Sequence, residues 1–270
     1  MTDRLVPPPQ DEISSHLLEL IIIDCDELLE DIARSIESMA KPETDKKKTM
    51  AEIRRYVHSL KGLGAVSYNT GIAIVSHRLE DYLSGHIELN SQEIDEVYAF
   101  MDCIRVLLAR RAPPSESEFA RIVRSLPARH SDTFSVDDVT KSRDIEVLLI
   151  MQRSVQEKLI EDELRACGLR VTNVGSSFEA IEMAVHTRPD LIVGSALGDM
   201  VGGLELARVF RAIEATKNIP FILATSFSDN ERLARELPSK TMIARKGENF
   251  PEDFSRCALE LGVFNKDSKH

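Results

Sequence analysis

The stretch Val57-His58-Ser59-Leu60-Lys61-Gly62-Leu63-Gly64-Ala65 places one histidine beside a cation and unusually small residues inside a helical pattern. On a helix, residues three and four positions apart share a face, so Lys61 and Gly62 lie beside His58. Glycine costs a helix interior roughly 1 kcal/mol relative to alanine, so two glycines within this short run need a reason. One reason is access for a partner protein to a phosphorylated imidazole. The other is a helix end, with Gly62 or Gly64 as the C-cap and His58 an ordinary half-buried histidine.

A second segment, Ser76-His77-Arg78-Leu79-Glu80-Asp81-Tyr82-Leu83, follows this run after an apolar stretch. Together the two segments resemble the histidine phosphotransfer (Hpt) domain, particularly that of chemotaxis histidine kinases. The resemblance implies a helical bundle in which His58 accepts the phosphoryl group and Lys61 is the cation that faces the phosphate. It also implies that Glu80 and His77 complete a hydrogen-bond network around the ring. The small residues that would let the partner's active site close over the ring are Gly62, Gly64 and Ala65.

Elementary chemistry supports the pairing of a carboxylate with this histidine. A carboxylate that accepts a hydrogen bond from one imidazole nitrogen leaves the other nitrogen unprotonated, which is the nucleophilic form. The competing interpretation makes Glu80 and His77 part of a solvated helix face beside Asp81 and Arg78.

Apolar residues at helical spacing predict an α-helical bundle over residues 11–111. A helix capped by Asp11 or Ser14 runs to about Met39, and a loop follows over residues 41–48. The remaining predicted helices are the histidine helix from about Met50, a helix from about Thr70, and a helix over residues 91–108.

Residues 112–143 are rich in proline, serine and scattered charge, which is typical of a linker. A short amphipathic helix is predicted inside it, because four apolar residues recur at helical spacing. They are Phe119, Ile122, Val123 and Leu126. This helix packs against one domain, bridges both domains or belongs to the bundle; the sequence leaves these alternatives open.

From Asp144 onward, short β-branched or leucine-rich runs alternate with helical segments in five βα units. This alternation predicts an α/β domain over residues 144–265, with a doubly wound, five-stranded parallel sheet. Several segments resemble the receiver domains of response regulators. They are Pro189-Asp190-Leu191-Ile192-Val193, Gly203-Leu204-Glu205-Leu206-Ala207, residues 219–225 and Arg245-Lys246.

The resemblance fails at the residues that carry the receiver's chemistry. A working receiver holds Mg²⁺ with two acids after its first strand and an aspartate after its third, and that aspartate takes the phosphoryl group. Here the first-strand positions are Met151 and Gln152, and the acceptor position is Ser195. A hard divalent cation requires several anionic oxygens. We therefore predict a pseudo-receiver that binds no metal and accepts no phosphoryl group.

Two other receiver residues are present, the hydroxyl at Thr225 and the lysine at Lys246. Without an acceptor or metal ligands, they are interpreted as remnants or structural groups. Asp199 is offset by four residues from the acceptor position, which argues against a substitute role.

The composition of the chain argues against some kinds of partner and cofactor and bears on its cellular location. The net charge of −11 and the pI of about 5.2 argue against a nucleic-acid partner, which usually requires a basic face. Four cysteines without C-x-x-C spacing indicate neither a zinc site nor a disulfide framework, and no cofactor is predicted. No apolar run approaches the ~20 residues needed to cross a bilayer, and the polar, proline-rich start does not resemble a signal peptide, so a cytoplasmic location is expected.

Two functions remain. The first is a phosphorelay intermediate, in which His58 exchanges a phosphoryl group with aspartates of partner receiver domains or accepts it from a histidine kinase. The chain lacks nucleotide-binding motifs, so ATP-dependent kinase activity of its own is not expected. The second is a non-catalytic adaptor that binds signalling kinases or response regulators. Self-association of the chain is left open.

Overall fold

The computed structural model describes residues 10–67, 69–110, 112–129, 144–198, 200–226 and 230–264. The chain divides into two compact units, Met1–Ser115 and Glu116–His270. Asp199 and residues 130–143 of the predicted linker lie outside the described residues. No helix in the described ranges is both long enough and apolar enough to span a membrane.

The described residues of the first unit form a bundle of four helices. They are α1 (Gln10–Met39), α2 (Lys46–Val66), α3 (Thr70–Tyr82) and α4 (Ser91–Leu108). Each helix packs on the next one in sequence, and α1 also packs on α4, which closes the bundle. The predicted helical fold of this region is confirmed. Helix α2 begins earlier than expected, because the Asp45 side chain caps it by accepting a hydrogen bond from the Lys48 amide at 3.1 Å.

Helix α2 has one buried stripe and one exposed stripe. Its buried residues are Thr49, Met50, Ile53, Val57, Leu60 and Gly64, and from Met50 onward they recur every three or four positions. His58, Gly62 and Ala65 lie on the exposed stripe. The apolar periodicity therefore turns His58 away from the core.

The two glycines of α2 occupy different environments. Helix α2 ends at Val66 with Ser67 as its C-cap, so the interpretation of Gly62 or Gly64 as the C-cap is wrong. A Cβ on Gly64 would lie only 2.5 Å from the backbone nitrogen of Ala73 in α3, whereas a Cβ on Gly62 would meet nothing within 4 Å. The assignment of Gly64 to partner access is therefore corrected: Gly64 is buried and lets two helix backbones approach. Gly62 and Ala65 remain exposed.

The second unit contains a five-stranded parallel sheet in the order β2-β1-β3-β4-β5. Its strands are β1 (Glu146–Ile150), β2 (Arg170–Val174), β3 (Leu191–Ser195), β4 (Phe221–Thr225) and β5 (Thr241–Arg245). The alternating helices are α6 (Val155–Ala166), α7 (Ser177–Thr187), α8 (Gly203–Ala212), α9 (Asn230–Glu236) and α10 (Phe250–Glu260). The predicted doubly wound α/β fold is confirmed.

Burial of the central strands explains their sequences. Every residue of β1, β3 and β4 is buried, as expected for a parallel sheet covered on both faces. On one face, Leu149, Val193 and Ile222 pack with Phe250 and Phe254 of α10. The parallel register brings the carboxyl ends of β1, β3, β4 and β5 to one edge of the sheet.

The short amphipathic helix predicted near Phe119 is present as α5 (Glu116–Ser125), and it belongs to the second unit. It packs on α7, and Phe119 and Val123 are buried. Arg124 Nη1 donates to Asp190 Oδ2 at 2.9 Å. Of the three placements left open by the sequence, the structure selects packing on the α/β domain, because the apolar face of α5 is buried there.

The glycine environments generate a matched pair of stability predictions. Gly64→Ala should lower the free energy of unfolding of the bundle by about 1–3 kcal/mol, because α2 and α3 must separate to admit the methyl group. Gly62→Ala adds the same atom in open space, and it should raise stability by roughly 0.5–1 kcal/mol through the helix propensity of alanine. Urea unfolding followed by circular dichroism compares the two variants. Equal effects of both substitutions would contradict the packing role of Gly64.

Candidate functional site

His58, Lys61 and Glu80 form one contact cluster between α2 and α3. The His58 side chain is 70% exposed, and its Nδ1 lies 3.0 Å from Oε1 of Glu80. Lys61 Nζ donates to the other carboxylate oxygen, Oε2, at 2.5 Å. Glu80 therefore bridges the histidine and the lysine, with one oxygen for each.

The antiparallel packing of α2 and α3 brings these residues together. Contacts join Gly64 to Ala73, His58 to Glu80, and Arg54 Nε to the Leu83 carbonyl oxygen at 3.2 Å. Residue numbers fall along α2 as they rise along α3, so the helices run in opposite directions. Asn69 fixes the turn between them, because its side chain accepts from the Gly71 amide at 3.2 Å and donates to the Leu107 carbonyl at 3.1 Å.

The ionisation of Glu80 determines which nitrogen of His58 is free to react. Burial by itself raises the pKa of Glu80, but hydrogen bonds from Lys61 and His58 outweigh it and lower the pKa below its ordinary value. An ionised carboxylate only accepts hydrogen bonds, so the proton of the neutral imidazole lies on Nδ1. The lone pair is then on Nε2. The cluster consequently presents a nucleophilic nitrogen on an exposed ring.

His77 has a different environment from His58. Its side chain is buried, and its Nε2 lies 3.4 Å from Oδ2 of Asp81, four residues later in α3. The described contacts thus group Glu80 with His58 and Lys61, and pair His77 with Asp81. A part for His77 in a network around the phosphorylated ring stays a prediction.

An acidic groove adjoins the exposed histidine. It has a volume of about 540 Å³ and lies between α1 and α2, where it is lined by Asp24, Glu27, Leu28, Asp31, Ser59, Gly62 and Leu63. Ser59 follows His58 directly, and Gly62 lies one turn further along α2. Sequence reasoning missed the three acids on α1. Their spacing of three and four residues, which places them on one helix face, was the available signal.

The carboxyl edge of the sheet brings together two of the receiver-like positions. Lys246 Nζ donates to Ser195 Oγ at 2.8 Å. Met151 and Thr225 are buried, and Gln152 is exposed. Burial lowers the pKa of Lys246 below its ordinary value. Among the described residues, no group of three or more His, Cys, Asp or Glu side chains is arranged to hold a metal ion.

Comparison with known proteins relates each unit to a family. Residues 16–110 match the Hpt domain family. The chain is also similar to the polar-differentiation response regulator DivK of Brucella ovis, with 30% identity over 90 residues, which are 32% of this chain and 73% of that protein. The corresponding protein of Brucella anthropi is 29% identical over the same shares of both chains.

Solved structures with similarity to the chain include receiver domains. One is the receiver domain of a sensor histidine kinase from Pseudomonas aeruginosa, with a magnesium ion in its active-site cleft. Its sequence identity to this chain is 26%, and the match covers 44% of this chain and 98% of that chain with a TM-score of 0.38. Another is the chemotaxis response regulator CheY4 of Vibrio cholerae, with 19% identity, 43% of this chain, 98% of that chain and a TM-score of 0.39.

The Glu80 bridge predicts a measurable change in carboxyl ionisation. Lys61→Met should raise the pKa of Glu80. The side chain of Glu80 stays buried, which raises its pKa, but it loses the hydrogen bond from Lys61, which is the main effect that lowers it. Lys47→Met is the matched control, since Lys47 is an exposed lysine in the first turn of α2. Carbon-detected NMR titration of the Glu80 carboxyl measures the shift. An unchanged Glu80 titration in Lys61→Met would contradict the bridge.

The same bridge has a pH-dependent effect on stability. The pKa of Glu80 is lower in the folded state than in the unfolded state. Glu80 therefore contributes fully to the free energy of unfolding above the ordinary carboxyl pKa, and this contribution is lost as the pH falls through the lowered pKa of the folded state.

Proposed function

This chain is a two-component signalling protein that joins an Hpt domain to a receiver-like domain of the response-regulator family, and we propose that it carries a phosphoryl group on Nε2 of His58. The observation that carries the proposal is the contact between His58 Nδ1 and the ionised Glu80, because it places the proton of the neutral imidazole on Nδ1 and the lone pair on Nε2. Partner receiver domains and histidine kinases are the proposed sources and acceptors of the group.

The transfer step balances without a cofactor on this chain. The Nε2 lone pair attacks the phosphorus of a partner's aspartyl phosphate, an N–P bond forms, and the P–O bond to the aspartate breaks. The partner's carboxylate leaves with the electron pair of that bond. Glu80 stays hydrogen-bonded to the Nδ1 proton and stabilises the positive charge that develops on the ring. The partner receiver supplies Mg²⁺.

Lys61 and the surface beside His58 complete the proposed site. Lys61 lies one helical turn from His58, so its ammonium group can neutralise charge on the phosphoryl oxygens while it remains close to Glu80. Gly62 and Ala65 leave the surface beside the ring low enough for another protein to approach. The acidic groove fits a partner whose contacting helix carries basic side chains, because Asp24, Glu27 and Asp31 line it.

We further propose that the second unit is a pseudo-receiver that contributes docking or regulation rather than chemistry. Its acid positions carry a thioether, an amide and a hydroxyl, at Met151, Gln152 and Ser195. These groups lack the negative charge that a small hard cation requires. Met151 packs in the hydrophobic core and Ser195 is buried at the end of β3, so these two positions serve the fold.

Phosphorylation should be confined to His58. His58→Gln should abolish labelling from a phosphorylated partner receiver, with helicity and melting temperature unchanged, because the side chain is exposed. His16→Gln is the matched control, since His16 is 74% exposed on α1. Labelled protein should show an acid-labile, base-stable bond. Absence of label on the wild-type chain, with partner binding intact, would instead favour a non-catalytic adaptor.

Glu80 and Lys61 should tune transfer without carrying the phosphate. Loss of one charge-assisted hydrogen bond is worth roughly 1.5–3 kcal/mol, so Glu80→Ala and Lys61→Ala should each slow transfer by about one to two orders of magnitude. Rapid-quench kinetics at saturating partner measures the rate, and Lys47→Ala serves as the charge-matched control. Wild-type rates in both site variants would show that the bridge has no part in transfer.

The receiver-like domain should neither bind Mg²⁺ nor accept a phosphoryl group from acetyl phosphate. The experiment uses the His58→Gln chain, so that any label must lie on another residue. The positive control is a response regulator that has the two metal-binding acids and the acceptor aspartate. A chain without residues 116–270, which form the second unit, should keep labelling of His58 but lose affinity for partners or selectivity among them. If the truncated chain and the full chain have equal transfer rates and equal selectivity across a panel of partners, the second unit has no docking role.

A further inference from the structure

Arg54 of α2 joins the histidine helix to the end of α3 through two backbone oxygens. Its Nε donates to the Leu83 carbonyl at 3.2 Å, and its Nη2 donates to the His86 carbonyl. The side chain is partly buried, and burial lowers the pKa of Arg54. Among the described residues, no carboxylate forms an ion pair with Arg54. This cation therefore holds main chain rather than another charge.

Both acceptors lie where α3 ends. Leu83 is the C-cap of the helix, and the carbonyl groups at a helix end lack intrahelical partners and carry partial negative charge. Gly85 follows with a φ of 83°, a left-handed conformation that turns the chain sharply. A guanidinium is a planar fork of donors, so one side chain can bind two oxygens at once in fixed directions. Arg54 thereby fixes the end of α3 relative to α2.

This contact lies beside the candidate transfer site. His58 follows Arg54 by four residues on α2, and Glu80 precedes Leu83 by three residues on α3, which is about one helical turn in each case. Because the helices are antiparallel, the two contacts are neighbours along one interface. One helical residue rises about 1.5 Å, so a slide of α3 by one residue would take the 3.0 Å distance between His58 Nδ1 and Glu80 Oε1 out of the usual hydrogen-bond range.

The next arginine in the sequence has a different environment. Arg55 is exposed, and its Nη2 lies 3.8 Å from Oε1 of Glu52 on the same helix. Surface ion pairs of this kind contribute little to stability, and this one joins two residues of α2. Arg54 and Arg55 therefore have the same charge and adjacent positions but different contacts, which makes Arg55 a matched control.

We propose that Arg54 is a positioning residue for phosphoryl transfer through His58, because it holds the end of α3 at the height where Glu80 meets the imidazole. Arg54 acts through Glu80 and does not touch the reacting atoms. This role rests on the proposed function of His58 as the phosphoryl carrier, whereas the hydrogen bond between His58 and Glu80 that Arg54 supports exists without a partner.

The test uses the full chain without a partner and follows two NMR signals, the imidazole nitrogens of His58 and the carboxyl carbon of Glu80. Arg54→Met keeps an apolar stem but removes both donors. It should shift His58 from the Nδ1–H tautomer toward the mixture of a free imidazole. It should also raise the pKa of Glu80, because the hydrogen bond from His58 is weakened. Arg55→Met should leave both signals unchanged, and Arg54→Lys, which keeps the charge without the fork, should give intermediate values.

Transfer from a phosphorylated partner receiver is measured on the same chain. Arg54→Met should slow transfer at saturating partner by about tenfold or more, since a misplacement of about 1 Å can cost about a hundredfold in rate. Lys47→Met, which changes an exposed lysine in the first turn of α2, should keep the wild-type rate.

The two measurements fail in different ways. If the wild-type chain takes no label, the function proposed for His58 fails, and the NMR comparison still decides whether Arg54 positions Glu80. The positioning role is overturned if folded Arg54→Met keeps the wild-type tautomer and the wild-type pKa of Glu80, or if Arg55→Met shifts both signals equally. Should Arg54→Met fail to fold, Arg54→Lys decides, and wild-type values of both signals in that variant overturn the role.

Discussion

The close approach of α2 and α3 at Gly64 determines the geometry of the candidate transfer site. With no side chain at this position, the backbone of Ala73 in α3 can lie against α2. The contact sets the antiparallel register of the two helices, and that register places Glu80 level with His58 and Lys61. A larger residue at position 64 would move the helices apart, and the carboxylate bridge would lengthen with them. The contact at Gly64 therefore constrains both the packing of the bundle and the position of Glu80 beside His58.

Glu80 shows how one carboxylate can determine the properties of two neighbours. It receives hydrogen bonds from a histidine and a lysine, so it stays ionised although it is partly buried. Its ionisation in turn selects the tautomer of His58 with the lone pair on the exposed nitrogen. The cluster joins residues from two helices, and a substitution at any one of the three changes the charge that the other two experience.

The carboxyl edge of the sheet shows a different pairing, in which a lysine donates to a neutral hydroxyl. Ser195 occupies the position where the receiver resemblance expects an aspartate, and Lys246 bonds to its hydroxyl. The fold tolerates the change because its stability comes from the buried strands and from ion pairs elsewhere. For example, Arg245 Nε donates to Asp253 at 2.7 Å, and the pKa of Asp253 is lowered to about 2 by hydrogen bonds from Arg245 that outweigh the effect of burial.

The sequence by itself determined the features that depend on local spacing. Helical periodicity predicted α3 and α4, the alternation of strands and helices predicted the parallel sheet, and the separation of three residues predicted that Lys61 lies beside His58. Tertiary structure decided the rest. It placed Gly64 against Ala73, brought Glu80 to His58, packed α5 on the second unit, and turned the acids of α1 toward the groove beside α2. Neighbours three or four residues apart meet on any helix, whereas contacts between distant segments depend on the register in which whole elements pack.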